Sequence, residues 1–512
     1  MPTIPAILIQ RLKTHVQNNP GSAAALLAIG FGLILRLRQF TLNLSFWLDE
    51  AMLALNIVKR SFSGLIQPLD YDQGAPLGFL WVIKAMETLL GNREYSLRLF
   101  PFLASCLGLI LLWMLARQLI QPTGVVFALL IFGSSHYLVS YGVQVKQYTV
   151  DVTIALLLQL LALRLLRKEC TTRDYMLLAG LGALAVWMSH AAVFILGGAG
   201  LVLIGVAAYK KDWGSALKFG LASSFWVLNF AALYFIQYRN LAANAYLTSF
   251  WADYFMPLSI SAPLWAVDRL SGLFYNPGGM SVLVPALLIL LLFGAGAISL
   301  AQRQPGWVWM FVLSLILTLA ASSLQKYPFG GRMGMFAIPG LLICASEGIE
   351  LPRKLFKSRP ILGWAGTLVL FAYLTFSPLN FAIEAALSPK MTENIAPTMA
   401  YLKTNVHEGD VIYLYRMSIP AFRYYAPRYG LENIQVFNGT DAHENRQAYQ
   451  GEVQQLAGNK RVWFLFSHLA DYEYVDDRDA ILDYAGQLGE KKREFSQPGT
   501  LINLYLYDLM PR

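Results

Sequence analysis

The run Ser22-Ala-Ala-Ala-Leu-Leu-Ala-Ile-Gly-Phe-Gly-Leu-Ile-Leu35 opens an apolar segment, 22–41, long enough to cross a bilayer. Similar segments recur as far as Asn380. Because 56% of the 512 residues are hydrophobic and only 14% are charged, a soluble domain could not bury this much apolar surface. We therefore predict an α-helical polytopic membrane protein. Its eleven predicted spans are 22–41, 97–119, 122–141, 148–166, 175–190, 191–209, 215–238, 281–301, 307–325, 333–350 and 361–380.

Basic residues in the short connections predict the orientation. Arg117, Arg167, Lys210, Arg303 and Arg353 all fall in connections on one side, and lysine and arginine are retained on the cytoplasmic side of short loops. We therefore expect a cytoplasmic N-terminus and an exported C-terminal region.

The net charge of +9 follows this topology. Residues 381–512 carry −4, so the membrane region carries +13. A basic membrane region is attracted to anionic lipid headgroups, and we expect no nucleic-acid partner. The three cysteines lie in or beside predicted spans, so the exported part must be stable without disulfides.

Two exported pieces are predicted. The loop 42–96 contains two amphipathic helices, 49–60 and 77–90, with a turn between them. After residue 380 short β-rich runs alternate with helical ones, which predicts a small α/β accessory domain, 381–512, with a largely parallel sheet. The predicted domains are thus 1–380, which is membrane-embedded, and 381–512. Strands are predicted at 410–416, 433–437, 461–466 and 501–507, and helices at 392–405, 418–427, 442–457 and 476–489.

An acidic pair, Asp49-Glu50, follows the first span. Charged groups beside hydrocarbon are costly, so a pair at the membrane boundary indicates chemistry, a substrate or an ion. A carboxylate can take the proton of an attacking hydroxyl or amine, and a second can hold the acceptor. The structural alternative is that Asp49 caps a helix beginning at Ala51.

Four cations are candidates for binding a phosphate: Arg332, Lys146, Lys84 and Arg36. Arg332 follows two glycines, which allow a ligand to approach the backbone closely, and its planar fork fits phosphate oxygens. It could instead pair with a carboxylate, and Lys146 could instead extend toward lipid headgroups. Arg36 lies inside the first span, where either it or Arg38 could turn inward.

The ordered pattern resembles the GT-C membrane glycosyltransferases that use polyprenyl-phosphate sugars, in the bacterial branch similar to protein O-mannosyltransferases and to the lipid A aminoarabinose transferase. The resemblance covers roughly residues 25–350 and depends on four segments. These are Asp49-Glu50, the stretch from Asp72 to Gly78, the stretch from Gln144 to Tyr148, and Tyr327 to Pro339 with its arginine.

The resemblance implies a donor held in the membrane with its phosphate at the outer face, a base or acceptor anchor at Asp49, and a cationic set for the leaving phosphate. Two departures matter. Relatives often carry an acid where this chain has Gln144, and others carry a basic residue where it has Gly74-Ala75. We therefore assign no cofactor, and a divalent metal has no support in the sequence, which contains no pair of histidines or cysteines at ligand spacing.

The predicted function is inverting sugar transfer from a polyprenyl phosphate to a lipid, glycan or protein acceptor. Two rivals stay open. A secondary transporter or flippase would place ionisable residues at mid-membrane in two related halves, which this sequence does not show. An assembly protein acting through its exported domain would make Asp49 and Arg332 dispensable.

Overall fold

The computed structural model describes residues 20–389, 391–442, 445–469 and 472–510. Each predicted span coincides with a helix, but the described residues contain nine helices long and apolar enough to cross a membrane, two fewer than predicted. These are Gly21–Thr41, Glu94–Leu119, Tyr148–Leu166, Ala192–Tyr209, Trp213–Ala242, Ala286–Arg303, Pro305–Ser323, Gly331–Leu355 and Pro360–Leu387.

The other two predicted spans are shorter helices. Thr172–Met188 has 17 residues, and Pro122–Ser134 has 13. The second ends at Ser135, whose hydroxyl accepts the Leu138 N–H and starts a separate short helix, His136–Tyr141. A polar cap inside an apolar run thus divides what hydropathy alone reads as one span.

The basic connections meet at one end of the bundle. Arg167 donates to Gln118 and Gln304, and Arg303 lies 2.6 Å from the buried Glu347. The loops that contain Asp49, Lys146 and Arg332 meet at the opposite end. The basic connections therefore lie at the end of the bundle opposite to Asp49.

The loop after the first span folds at the second end. Its helices are Leu48–Lys59 and Leu77–Leu90, as predicted, with a 3₁₀ turn, Asp70–Asp72, between them. The first turn of the second helix is buried on all sides, through Leu77, Phe79 and Leu80. A side chain at Gly78 would lie 2.7 Å from the Trp187 carbonyl oxygen, so only glycine permits this close approach. Further short helices on this side are Ala245–Phe250 and Ala262–Tyr275.

The C-terminal region contains a five-stranded sheet. The strands are β1 Val411–Leu414, β2 Gln435–Asn438, β3 Val462–Phe466, β4 Glu490–Ser496 and β5 Asn503–Asp508. Their order is β2-β1-β3-β5-β4. The helices are Ala396–Asn405, Ile419–Tyr429, Gln447–Gln454 and Tyr472–Leu488.

The prediction of a largely parallel sheet is wrong. β1 pairs in parallel with β2 and β3, but β5 pairs antiparallel with both β3 and β4. β4 was not predicted, because its Glu490-Lys-Lys-Arg-Glu stretch has no alternation of apolar and polar residues. β4 lies at the edge of the sheet with exposed side chains, where charge discourages pairing with other chains.

The C-terminal region packs on the first loop through several contacts, and two of them bear on the position of the acidic pair. One is formed by Arg428, whose guanidinium lies 2.5 Å from Glu94 and donates to the Asn92 carbonyl oxygen. The other precedes the Asp49 helix, where the Tyr425 hydroxyl accepts the Phe46 N–H. This second contact places the C-terminal region beside the acidic pair.

Candidate active site

Asp49 lies in the first turn of the helix Leu48–Lys59. The residue before that helix is Trp47, which makes no side-chain cap, so the alternative role of Asp49 as the cap of a helix beginning at Ala51 is wrong. The Asp49 side chain is 19% exposed, whereas Glu50 is buried. Neighbouring residues on a helix face different directions, and the two carboxylates of the pair accordingly meet different partners.

Arg332 is the direct partner of Asp49. Its Nη1 donates to Oδ2 of Asp49 at 2.6 Å. The arginine follows Gly330 and Gly331, which have φ values of +142° and +47°, a region that favours glycine. A side chain at Gly330 would lie 2.8 Å from the ring of Tyr254. The two glycines therefore allow the tight turn that places Arg332 within hydrogen-bonding distance of the Asp49 carboxylate.

Aromatic rings surround the Arg332 guanidinium. Its central carbon lies 5.9 Å from the ring of Trp47, 5.7 Å from that of Tyr148 and 5.4 Å from that of Trp251. Cations are attracted to aromatic faces at such distances. The rings come from three separate segments of the chain, and they limit the positions that the guanidinium can take.

Lys146 is the second cation of the site. Its Nζ lies 4.0 Å from Oδ2 of Asp49 and donates to Oε1 of Gln73 at 2.7 Å. Burial lowers the pKa of Lys146 to about 8; the charge of Asp49 opposes this shift and that of Arg332 adds to it. The lysine does not extend to the headgroups, so the alternative of a snorkelling lysine is wrong.

The electrostatics keep Asp49 ionised. Burial by itself would raise its pKa, but the charges of Lys146, Arg332 and His468 and the hydrogen bond from Arg332 together lower it below the ordinary value. Asp49 is therefore a carboxylate at neutral pH, with two cations that an incoming anion could also contact.

Glu50 has a different environment from the one predicted. Both of its oxygens accept from Arg98, at 2.9 and 2.6 Å, and Oε1 also accepts the Val145 N–H. This buried bidentate pair links the Asp49 helix to the helix Glu94–Leu119 and to the Lys146 loop. Both oxygens of Glu50 are thus engaged by protein groups, whereas the Asp49 carboxylate meets Arg332 and Lys146.

The structure brings neither Lys84 nor Arg36 to Asp49. Lys84 pairs with Glu87 at 2.9 Å on its own helix. Arg36 is fully buried within the bundle, where it donates to Ser105, 2.8 Å away, and to backbone carbonyls including that of Gly133. Since these protein groups already use the donors of Arg36, a phosphate site would have to displace them.

Several residues of the site were missed by the sequence analysis. Arg98 and Gln73 lie in segments predicted only as a span and a turn, and Trp251 and His468 come from segments for which no site role is predicted. No local pattern predicts these contacts, because each partner is distant in the chain. Among the residues that the structure describes, no group of three histidines, cysteines or acids could hold a metal ion.

A family model matches about a third of the chain. Residues 74–235 match the family described as dolichyl-phosphate-mannose-protein mannosyltransferase. The matched segment includes Lys146 but neither Asp49 nor Arg332. No protein with a curated description matches the chain significantly in sequence.

Solved structures share the fold over almost the whole chain. ArnT from Cupriavidus metallidurans in the apo state is 13% identical with a TM-score of 0.54, covering 95% of this chain and 98% of ArnT. ArnT bound to undecaprenyl phosphate is 13% identical with a TM-score of 0.55, covering 94% and 97%. The Archaeoglobus fulgidus oligosaccharyltransferase in complex with Zn and sulfate is 11% identical with a TM-score of 0.50, covering 94% of this chain and 73% of that protein. These structures confirm the predicted fold class, and the family match over residues 74–235 agrees with the resemblance to protein O-mannosyltransferases.

Proposed function

We propose that this protein is a membrane glycosyltransferase that moves a sugar from a polyprenyl-phosphate donor to an acceptor at the end of the bundle where Asp49 lies. The observation that carries the proposal is the ion-paired set of Asp49, Arg332 and Lys146. Two comparisons support it: the matched family is named for a dolichyl-phosphate mannose donor, and one structure with this fold contains undecaprenyl phosphate.

Arg332 and Lys146 are assigned to the donor phosphate. The bond of Arg332 to Asp49 uses Nη1, which leaves the guanidinium further N–H groups for phosphate oxygens. Lys146 contributes a compact point charge beside it. As the bond between sugar and phosphate breaks, negative charge grows on the phosphate, and two positioned cations stabilise that charge.

Asp49 is assigned as the base or acceptor anchor. An acceptor hydroxyl or amine attacks the anomeric carbon, the bond from that carbon to the phosphate oxygen breaks, and the acceptor's proton passes to the carboxylate. The lipid phosphate leaves with the bonding electrons. A single displacement of this kind inverts the configuration at the anomeric carbon.

Glu50 and Arg98 are assigned a positioning role. Because one carboxylate holds both the Arg98 side chain and the Val145 backbone, it keeps the Asp49 helix in register with the loop that contains Lys146. Residues 1–380 are proposed to form the catalytic membrane domain and 381–512 the accessory domain.

The donor assignment is tested with purified protein in lipid nanodiscs. Labelled polyprenyl-phosphate sugars are offered one at a time, and product and donor affinity are measured. Arg332→Lys keeps the charge but loses the planar fork, so we expect weaker donor binding and slower turnover, with Arg332→Ala worse than Lys146→Ala. Normal donor affinity in Arg332→Ala would refute the assignment.

We also propose that the N-terminus is cytoplasmic and the C-terminal region exported, in an inner (plasma) membrane of bacterial type. The last long helix runs to Leu387, so a reporter that is active only in the cytoplasm is fused after Pro389. A silent reporter is expected, with a fusion after Arg303 as the active control. Reporter activity in the fusion after Pro389 would contradict the proposed export of the C-terminal region.

A further inference from the structure

The helix that contains Asp49 begins without a cap from its own neighbours. Trp47 precedes it and offers no side-chain acceptor. Backbone N–H groups of the first turn have no partner within a helix and usually need one. Here the Leu48 N–H donates to Oε2 of Glu393 at 3.1 Å, a residue far away in the chain. The C-terminal region thus caps the Asp49 helix.

Glu393 is itself held by a histidine. Nδ1 of His468 lies 2.6 Å from Oε1 of Glu393, so the two oxygens of one carboxylate contact the helix and the imidazole. His468 follows β3 and has a φ of +61°, an uncommon value for a residue other than glycine. Strained conformations persist where the surrounding structure holds them, and they occur often at functional sites.

His468 also lies near the aromatic ring of Trp47, beside Arg332. Its ring centroid lies 6.3 Å from that of Trp47, and Trp47 is one of the rings around Arg332. The charge of His468 also contributes to lowering the pKa of Asp49. His468 therefore lies close enough to influence both the carboxylate and the aromatic wall beside it.

We propose that His468 and Glu393 are positioning residues for the transfer reaction, which makes the C-terminal region part of the active site. Glu393 fixes the first turn of the Asp49 helix, and His468 fixes Glu393 and the Trp47 ring. The expected loss of turnover rests on the proposed function. The capping of the Asp49 helix by the C-terminal region can be measured without any substrate.

A second contact, between Ser45 and the segment that follows Glu393, also attaches the start of the Asp49 helix to the C-terminal region. The Ser45 hydroxyl donates to Oδ1 of Asn394 at 2.7 Å and accepts the Ala396 N–H. The segment immediately before the Asp49 helix is therefore attached to the same stretch of chain that contains Glu393. The docking contact of Arg428 with Glu94 and Asn92 involves no atom of residues 47–50, and Arg428 therefore provides a matched control.

Three variants test the inference: Glu393→Ala, His468→Ala and the control Arg428→Ala. Hydrogen exchange at the peptide covering Leu48 and Asp49 should accelerate in Glu393→Ala and stay normal in Arg428→Ala. Turnover should fall roughly 10- to 100-fold in the two site variants, the size expected for a misplaced catalytic group, while donor affinity stays within twofold. His468→Gln keeps an N–H donor toward Glu393 and should recover part of the turnover that His468→Ala loses.

The outcomes separate the two levels of inference. If the wild type transfers no sugar from any polyprenyl-phosphate donor, the proposed function fails, while the exchange result still decides whether Glu393 caps the helix. If the wild type is active and Glu393→Ala shows normal exchange and turnover, the positioning role is refuted. Equal losses of turnover in Arg428→Ala and Glu393→Ala would also overturn it, because general docking of the C-terminal region would then explain the effect.

Discussion

Replacing Asp49 by asparagine tests the chemistry most directly. The amide keeps the size of the side chain and can still accept from Arg332, but it cannot take a proton. General-base catalysis contributes about 10²- to 10⁴-fold, so turnover should fall by that factor, which corresponds to about 3–5 kcal/mol of transition-state stabilisation. Initial rates at saturating donor and acceptor measure the loss.

The affinity of the Asp49→Asn variant for the donor should increase, although its turnover falls. In the wild type the Asp49 carboxylate occupies Arg332 and lies 4.0 Å from Lys146, so it competes with an incoming phosphate for both cations. Without that charge, donor binding should become tighter by several-fold. Stability should change little, by about 0–1 kcal/mol, because the partly exposed ion pair contributes modestly.

The matched control is Asp70→Asn, which removes another ion-paired carboxylate of the same loop. Asp70 lies 2.9 Å from Arg60 and is largely exposed, so its turnover and donor affinity should match those of the wild type. Turnover of the Asp49 variant within threefold of the wild type would refute the assignment of Asp49 as base. Weaker donor binding in that variant would instead contradict the competition between carboxylate and phosphate.

Three further changes have distinct expected results. Glu50→Gln should lower the free energy of unfolding by about 3 kcal/mol, because it leaves the buried guanidinium of Arg98 uncompensated; thermal unfolding checks this, and an unchanged melting temperature would contradict it. Since the pKa of Lys146 is lowered to about 8, this lysine loses its charge as the pH rises through 8, and the KM for the donor should rise over the same pH range. The Lys146→Arg variant stays charged, so its KM should show no such rise in the same titration. Gly330→Ala should lower the free energy of unfolding by about 1–3 kcal/mol and weaken donor binding, because φ is +142° and the added Cβ would lie 2.8 Å from the ring of Tyr254. The control is Gly272→Ala, in a helix with open space around the glycine, which should keep the wild-type stability and donor affinity.

The membrane fold was predictable because its signal is local. A helix in a bilayer satisfies its own backbone hydrogen bonds and exposes apolar side chains, so each span is visible in its own stretch of sequence. The helices of the first loop were predictable for the same reason, since amphipathic spacing appears within one segment. The failures came where another group intervened: Ser135 divided one predicted span, and the charged β4 depends on its pairing with β5.

The candidate site divides in the same way. Asp49, Lys146 and Arg332 were identifiable because charged residues at a membrane boundary are rare and costly, and the two glycines marked the approach of Arg332. The sequence could not separate Asp49 from Glu50, since which carboxylate meets Arg332 and which meets Arg98 depends on the packing of distant helices.

The sequence by itself thus determined the membrane class, the helical segments and the three charged residues, because each is encoded within a short stretch of chain. Only the tertiary structure decided the pairing of these charges, the separate partners of Lys84 and Arg36, and the contact of Glu393 with the start of the Asp49 helix. The physical reason is that hydrogen bonds and ion pairs act over a few ångströms in space, and the chain separations that they bridge here leave no periodic or local pattern.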